Sequence, residues 1–129
     1  MLYICSRDEI VVVDLSKVAY IKAEGYYSRF CYVNGTSVLV SVGIGRIEKM
    51  LREKGEHDKS DFVRTGRSHI INIRRVSYVS LSTTTIRLAD ETGQSCILQL
   101  TKNELKLVAN HIVANYHVNT ISPDTPREY

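Results

Sequence analysis

One stretch of the chain joins a basic segment to an apolar run, and it reads Phe62-Val63-Arg64-Thr65-Gly66-Arg67-Ser68-His69-Ile70-Ile71-Asn72-Ile73. Residues 68–73 are predicted to form a β-strand, because β-branched side chains suit a pleated, half-buried surface. Arg67 precedes this strand in a short connection between two strands. Phe62 is predicted to be a core residue, and Asn72 a structural hydrogen-bonding residue where the strand bends. The stretch therefore predicts a β-structure in which a basic loop leads into a strand.

Strand patterns dominate the chain on both sides of this stretch. Residues 10–13 are β-branched, residues 26–33 alternate and are rich in aromatic side chains, and Asn34-Gly35 is a strong hairpin signal. The predicted strands are residues 9–15, 18–23, 26–33, 36–42, 68–73, 76–81, 83–89 and 94–100.

A short helix is predicted in the middle of the chain. Ile44, Ile47 and Leu51 recur at spacings of three and four, which places them on one helical face. The helix is expected over residues 44–54 and is expected to end at Gly55.

A second helix is predicted over residues 101–114, and it begins at a capping box. The Thr101 hydroxyl can accept from the backbone N–H three residues on, and Glu104 can reach back. Leu105 and Val108 belong to the apolar stripe that packs on the sheet. Because long βαβ alternation is absent, we predict a mainly β fold of antiparallel sheets with one short mid-chain helix and one C-terminal helix.

Length and composition set the expected organisation. The 129 residues fit one domain over residues 1–118, followed by a flexible tail over residues 119–129. Three cysteines at long spacings predict neither a disulfide framework nor a zinc site, so Cys5, Cys31 and Cys96 are expected to be small core residues of a reduced protein. We expect a cytoplasmic protein without a membrane partner, because no signal peptide and no apolar run of about 20 residues are present.

The distribution of charge is more informative than its net value of +3. No acidic residue lies between Asp61 and Asp90, a stretch that holds Arg64, Arg67, Arg74, Arg75 and Arg87. Such a stretch predicts a positive potential that attracts polyanions. An ordinary solvated basic face is the alternative interpretation.

Residue patterns of catalysis and metal binding are missing from the sequence. Ser68 and His69 are neighbours on a predicted strand and point to opposite sides, which makes them a poor catalytic pair. Gly43 and Gly45 lack the third glycine of a dinucleotide loop, and the histidines show no spacing typical of metal ligands. We therefore predict no enzyme activity, no cofactor and no metal.

Several segments together resemble the LytTR-type DNA-binding domain of the LytR/AlgR family. In that family the stretch at 62–72 follows the pattern Phe, any, Arg, any, His, Arg, Ser, any, hydrophobic, Val/Ile, Asn. Residues 18–27 resemble its "Ile-x-Tyr-Ile-Glu-Ala-x-x-x-Tyr" strand and loop, and residues 99–102 stand where it has "Pro-Val-Ser-Arg". The resemblance covers about residues 8 to 114. It implies an elongated β domain that inserts loops, not a recognition helix, into DNA major grooves, as part of bacterial response regulators or free-standing regulators.

The resemblance implies sequence-specific binding of double-stranded DNA and control of transcription. A second copy of the chain on a repeated DNA site is a further partner that it allows. Three segments are expected to contact DNA, and the candidate residues are Tyr27, Arg64, Gly66, Arg67, Ser68, Lys102 and Asn103. Arginine can donate two bonds to a guanine edge or clamp a phosphate, and a helix N-terminus offers free N–H groups to phosphate.

Three of the candidates also have a purely structural interpretation. Tyr27 fits an ordinary sheet residue, Arg64 a buttress of the loop, and Arg67 a surface salt bridge. Gly66 replaces the family's histidine and Lys102 replaces an arginine, which puts base specificity in question more than phosphate binding. A protein-interaction module of the same fold that has lost DNA readout is therefore the alternative function, and a small enzyme or ligand-binding β domain is a third.

Overall fold

The computed structural model describes residues 1–53 and 61–121, which form ten β-strands and two α-helices. The strands are β1 (Leu2–Cys5), β2 (Ile10–Val13), β3 (Val18–Glu24), β4 (Tyr27–Tyr32), β5 (Ser37–Val40), β6 (Phe62–Arg64), β7 (His69–Asn72), β8 (Val76–Ser80), β9 (Thr85–Ala89) and β10 (Ser95–Gln99). The helices are α1 (Ile44–Glu53) and α2 (Lys102–Asn115).

The strands form three sheets in which neighbouring strands are antiparallel. The largest has five strands in the order β5-β4-β3-β7-β6, the second has three in the order β10-β9-β8, and β1 pairs with β2 alone. The predicted mainly β fold, with antiparallel sheets, one short mid-chain helix and one C-terminal helix, is confirmed.

Apolar clusters lie on both faces of the five-stranded sheet. Ile70 and Ile71 are neighbours on β7, so their side chains point to opposite faces, and each belongs to a different cluster. The first cluster includes residues of α1, β1 and β2, and the second includes residues of the three-stranded sheet and α2. Burial of an aliphatic side chain stabilises a fold by about 1.5–3 kcal/mol, so both faces hold this sheet in place.

Short elements account for the differences from the predicted strands. β1 and β6 were missed because strands of 4 and 3 residues carry too little periodicity to be recognised. The strand predicted over residues 68–73 ends at Asn72, whose side-chain oxygen accepts from the Arg74 N–H at 3.2 Å and caps a 3₁₀ turn, Ile73–Arg75. The amide nitrogen of Asn72 donates to the Val18 carbonyl at 2.8 Å, which confirms its predicted structural role.

The predicted helices agree with the structure except at their ends. α1 extends to Glu53, while Lys54 and the predicted stop at Gly55 lie outside the described residues, as does most of the predicted tail, residues 122–129. α2 runs to Asn115, and Thr101 caps it in a complete capping box, as predicted.

The expectation of three core cysteines is wrong in part. Cys5 is exposed, because it points away from the core on β1, next to the buried Ile4. Cys31 and Cys96 are half-buried, and all three thiols are free. Phe62 is also half-buried, packed against the first cluster rather than enclosed in it.

The sheet register brings two of the candidate segments to one end of the five-stranded sheet, here called the loop end. Ala23 pairs with Ser28 on β4, and its N–H donates to the Ser68 carbonyl at 2.8 Å. The turn between β3 and β4 therefore lies beside the loop between β6 and β7, residues 65–68. The opposite end of the sheet carries two 3₁₀ turns, Leu15–Lys17 and Ile73–Arg75.

Candidate nucleic-acid interface

The side chain of Arg64 forms hydrogen bonds with the backbone of the loop at residues 65–68. Its guanidinium donates from Nε to the Gly66 carbonyl and from a terminal nitrogen to the Arg67 carbonyl at 3.3 Å. The other terminal nitrogen forms an ion pair with Glu48 on α1 at 3.0 Å. Because all three nitrogens are engaged within the chain, Arg64 has the geometry of the loop buttress that the sequence left open.

Glu104, in the first turn of α2, forms hydrogen bonds with residues at both ends of the same loop. One carboxylate oxygen accepts from the Thr65 hydroxyl at 2.9 Å and from Nδ1 of His69 at 3.0 Å. The other accepts from the Thr101 N–H at 3.2 Å. The side chains of His69 and Glu104 are only 13% and 14% exposed, so these bonds lie largely out of solvent. The loop and the start of α2 are therefore joined through one carboxylate.

The environment of Glu104 keeps its carboxylate ionised near neutral pH. Partial burial raises its pKa, but hydrogen bonds from the Thr101 backbone, Thr65 and His69 outweigh burial, so the pKa lies below its usual value of 4.5. An ionised carboxylate can only accept hydrogen bonds, so His69 carries a proton on Nδ1 in this arrangement.

The tip of the loop is left open to solvent. Gly66, Arg67 and Ser68 are exposed, whereas Thr65 before them is buried. Within residues 1–53 and 61–121, the guanidinium of Arg67 and the hydroxyl of Ser68 have no hydrogen-bond or ion-pair partner. Gly66 has φ of +159°, close to extended, so the loop does not depend on the left-handed conformations that glycine permits.

The first turn of α2 also carries exposed polar side chains. Lys102 and Asn103 are exposed, and their side chains form no hydrogen bond or ion pair with the described part of the chain. The Glu104 N–H is satisfied by the Thr101 hydroxyl at 3.2 Å, so the N–H groups at positions 102 and 103 remain available. A cation and free N–H groups at a helix N-terminus favour an anion such as phosphate.

The turn between β3 and β4 supplies the third segment. Gly25 adopts φ of +64°, which a residue without a side chain tolerates best, and the turn projects Tyr26 and Tyr27. Tyr27 is 46% exposed, and Tyr26, which the sequence did not single out, is 91% exposed. Arg29 pairs with Glu24 behind the turn at 2.7 Å, so it is neutralised within the sheet.

The acid-free stretch of arginines does not form one basic surface. Arg74 pairs with Asp61 at 3.1 Å and Arg75 with Glu91 at 2.6 Å, both at the opposite end of the sheet. Arg87 lies on β9, with its guanidinium 5.7 Å from the centre of the Tyr78 ring. Acidic residues from outside the stretch therefore neutralise Arg74 and Arg75, so these two arginines add little to the positive potential that the sequence predicted.

The sequence did not point to the contacts that hold the candidate interface together. These contacts are made by Glu48, Thr65, His69 and the Glu104 oxygen that is not used in capping. The sequence carried no signal for Thr65, since only the structure shows that it is 2% exposed. A buried hydroxyl in a loop requires a partner, and that partner lies 39 residues away.

Metal-binding clusters and membrane-spanning helices are absent from the described residues. Residues 1–53 and 61–121 contain no group of three or more His, Cys, Asp or Glu that could hold a metal ion. None of their helices is long and apolar enough to cross a membrane. An open groove of about 540 Å³ between β8 and α2 is mostly apolar, and Tyr78 is the one titratable residue in its lining.

Comparison with known proteins identifies the family. The family model for the LytTr DNA-binding domain matches residues 8–113. A solved structure described as a LytTr DNA-binding domain from Bacillus cereus superposes with a TM-score of 0.56, at 17% identity, over 85% of this chain and 94% of that one. No curated protein matches the chain. On the family match, which spans most of its length, the chain belongs to the LytTr DNA-binding domain family.

Proposed function

We propose that this chain binds double-stranded DNA sequence-specifically and controls transcription in the bacterial cytoplasm, by inserting the loop at residues 65–68 into a major groove. One observation carries the proposal. Arg67 projects, without a partner among the described residues, from a loop in which Arg64 holds the Gly66 and Arg67 carbonyls and Glu104 holds the Thr65 hydroxyl. An exposed arginine on a rigid loop is suited to base-edge recognition, because little side-chain and backbone freedom is lost on binding.

The exposed candidates divide into base and phosphate contacts. Arg67 is assigned to a base edge, where its guanidinium can donate two hydrogen bonds to guanine. Lys102, the N–H groups at positions 102 and 103 and the Ser68 hydroxyl are assigned to phosphates, which fix the register of the protein on the duplex. Asn103 lies beside this phosphate site, and Tyr27 contacts the sugar-phosphate backbone from the neighbouring turn. Arg64 supports the loop, and Gly66 leaves space at its tip.

The decisive experiment is selection of bound duplexes from a random DNA pool, followed by quantitative gel shifts on the enriched sequence. We expect a preferred duplex whose affinity falls steeply as salt rises, since bound cations displace counterions from phosphates. A repeat in the selected sequence would support binding of two copies of the chain. Recovery of no preferred duplex, with no salt-dependent retention of DNA, would contradict the proposal and favour the protein-interaction module.

A further inference from the structure

Glu104 makes more contacts than helix capping requires. A capping box uses the side chain at this position to accept from the backbone N–H of the cap, and the Thr101 N–H occupies one carboxylate oxygen at 3.2 Å. The second oxygen is bonded to Thr65 at 2.9 Å and to His69 at 3.0 Å, which lie 39 and 35 residues away in sequence. Capping alone gives no reason for these two bonds.

The bonded residues bracket the exposed candidates on both sides. Thr65 and His69 flank the exposed residues 66–68, and Thr101 and Glu104 flank the exposed residues 102–103. One carboxylate therefore anchors both ends of each exposed segment. The anchors are 2% exposed at Thr65 and 14% at the Glu104 side chain, so water competes weakly for these hydrogen bonds.

We propose that Glu104 is a positioning residue, which fixes the loop at residues 65–68 against the first turn of α2 so that Arg67 and Lys102 meet DNA as one rigid unit. The inference rests on the proposed function. A ligand that spans both segments gains affinity when their spacing is set in advance, because ordering the loop costs free energy only once, during folding. Breaking the bridge should therefore weaken DNA binding without removing any group that contacts DNA.

Thr65→Val tests the bridge with an almost isosteric change. It removes the hydroxyl that Oε2 of Glu104 accepts from, and it leaves the capping box, Arg67 and Lys102 in place. We expect affinity for the selected duplex to fall roughly three- to tenfold, with an unchanged salt slope, because no phosphate contact is lost. Thr65→Ser keeps the hydroxyl and should retain the affinity of the unmodified chain. His69→Phe removes the other bond to the same oxygen and should act in the same direction.

Ser80→Ala is the matched control for a purely structural effect. Ser80 is 8% exposed, and its hydroxyl accepts from the Thr83 N–H at 3.2 Å in the turn after β8, away from the interface. It should lower thermal stability as Thr65→Val does, but leave duplex affinity unchanged. Equal losses of affinity in the two variants would show a general effect of destabilisation and overturn the proposal.

A double-mutant cycle measures the coupling directly. Arg67→Ala and Lys102→Ala, alone and together, should combine non-additively by more than about twofold in the otherwise unmodified chain, and additively in the Thr65→Val background. Additive losses in both backgrounds would overturn the positioning role while leaving DNA binding intact. If the unmodified chain prefers no duplex at all, the proposed function fails instead, so the two failures are distinguishable.

Discussion

Arg67, at the loop end of the five-stranded sheet, has different electrostatic surroundings from the two arginines at the opposite end. At the opposite end, Arg74 pairs with Asp61, and Arg75 pairs with Glu91 and donates to the Ser16 carbonyl at 2.9 Å. At the loop end, Glu104 is bonded by hydroxyl, backbone and imidazole donors instead of by a cation. Glu48 forms an ion pair with Arg64, and Arg67 has no acidic partner among residues 1–53 and 61–121.

This difference shows that the partners of basic residues matter more than their number. A phosphate that approaches a paired arginine must compete with a carboxylate already in place, whereas an unpaired arginine offers its full charge. Arg75 is the stronger example, since its side chain is 16% exposed, whereas that of Arg74 is 63% exposed. Of Arg64, Arg67, Arg74 and Arg75, Arg67 alone has no ion-pair or hydrogen-bond partner for its guanidinium among the described residues, which supports the proposal that the loop end binds a polyanion.

Arg67→Ala and Arg74→Ala should give the largest contrast between the two ends. Arg67→Ala is expected to reduce affinity for the selected duplex by about 1–3 kcal/mol, the range for loss of a bidentate base contact. Arg74→Ala should leave affinity nearly unchanged, because its charge is already paired with Asp61. Fluorescence anisotropy at fixed salt, with both variants on the same labelled duplex, measures the difference.

Stability provides the control for this pair. Arg67 is exposed, so its removal should change the free energy of unfolding by less than about 0.5 kcal/mol. Comparable losses of affinity in Arg67→Ala and Arg74→Ala would erase the distinction between the ends and point to non-specific attraction by net charge.

A smaller effect is expected from the lysines, and it concerns salt dependence. Lys102→Ala should lower the slope of log affinity against log salt by about one, and weaken binding to all duplexes by a similar factor, because Lys102 is assigned to a phosphate. Lys17→Ala is the matched change, since Lys17 is exposed on the 3₁₀ turn of the opposite end. A salt series that gives the same slope for both variants would move the phosphate contact away from α2.

The sequence predicted most of the fold because the long elements carry periodic signals. The helical spacing of Ile44, Ile47 and Leu51 places all three in the core, and the capping box at Thr101 begins α2 where expected. β1 and β6 were missed because strands of 4 and 3 residues carry little periodicity of their own.

The candidate site was predictable only for its exposed residues. Arg67 and Lys102 stand out in the sequence because charge and family pattern mark them, and the structure leaves both exposed. Their supports could not be read from sequence, because Thr65 and Glu104 are joined through a contact of 39 residues in separation. The pairing of Arg75 with Glu91 was hidden for the same reason, and it removed a cation that sequence alone would assign to the basic surface.

The smallest expected effect concerns the acidic residues that distinguish the two ends, and it appears as a pH dependence of stability. The pKa of Glu104 in the folded protein is lowered from 4.5, with hydrogen bonds from Thr101, Thr65 and His69 outweighing the opposing effect of burial. A group with a lowered folded pKa stabilises the fold fully above its unfolded pKa, and this contribution is lost as pH falls through the folded pKa. The relevant window therefore lies below pH 4.5.

Glu104→Gln should expose this contribution in urea denaturation between pH 7 and pH 3. The difference in free energy of unfolding between the unmodified chain and the variant should be greatest near neutral pH and shrink below about pH 4.5, since glutamine does not titrate. Glu91→Gln is the matched change at the opposite end of the sheet. The pKa of Glu91 is also lowered, by its hydrogen bond with Arg75, but its side chain is 78% exposed. Solvent screening should make its pH-dependent difference smaller than that of Glu104. A larger pH-dependent difference for Glu91 would mean that the fold stabilises its ionised form more strongly than that of Glu104. That result would reverse the contrast between the two ends.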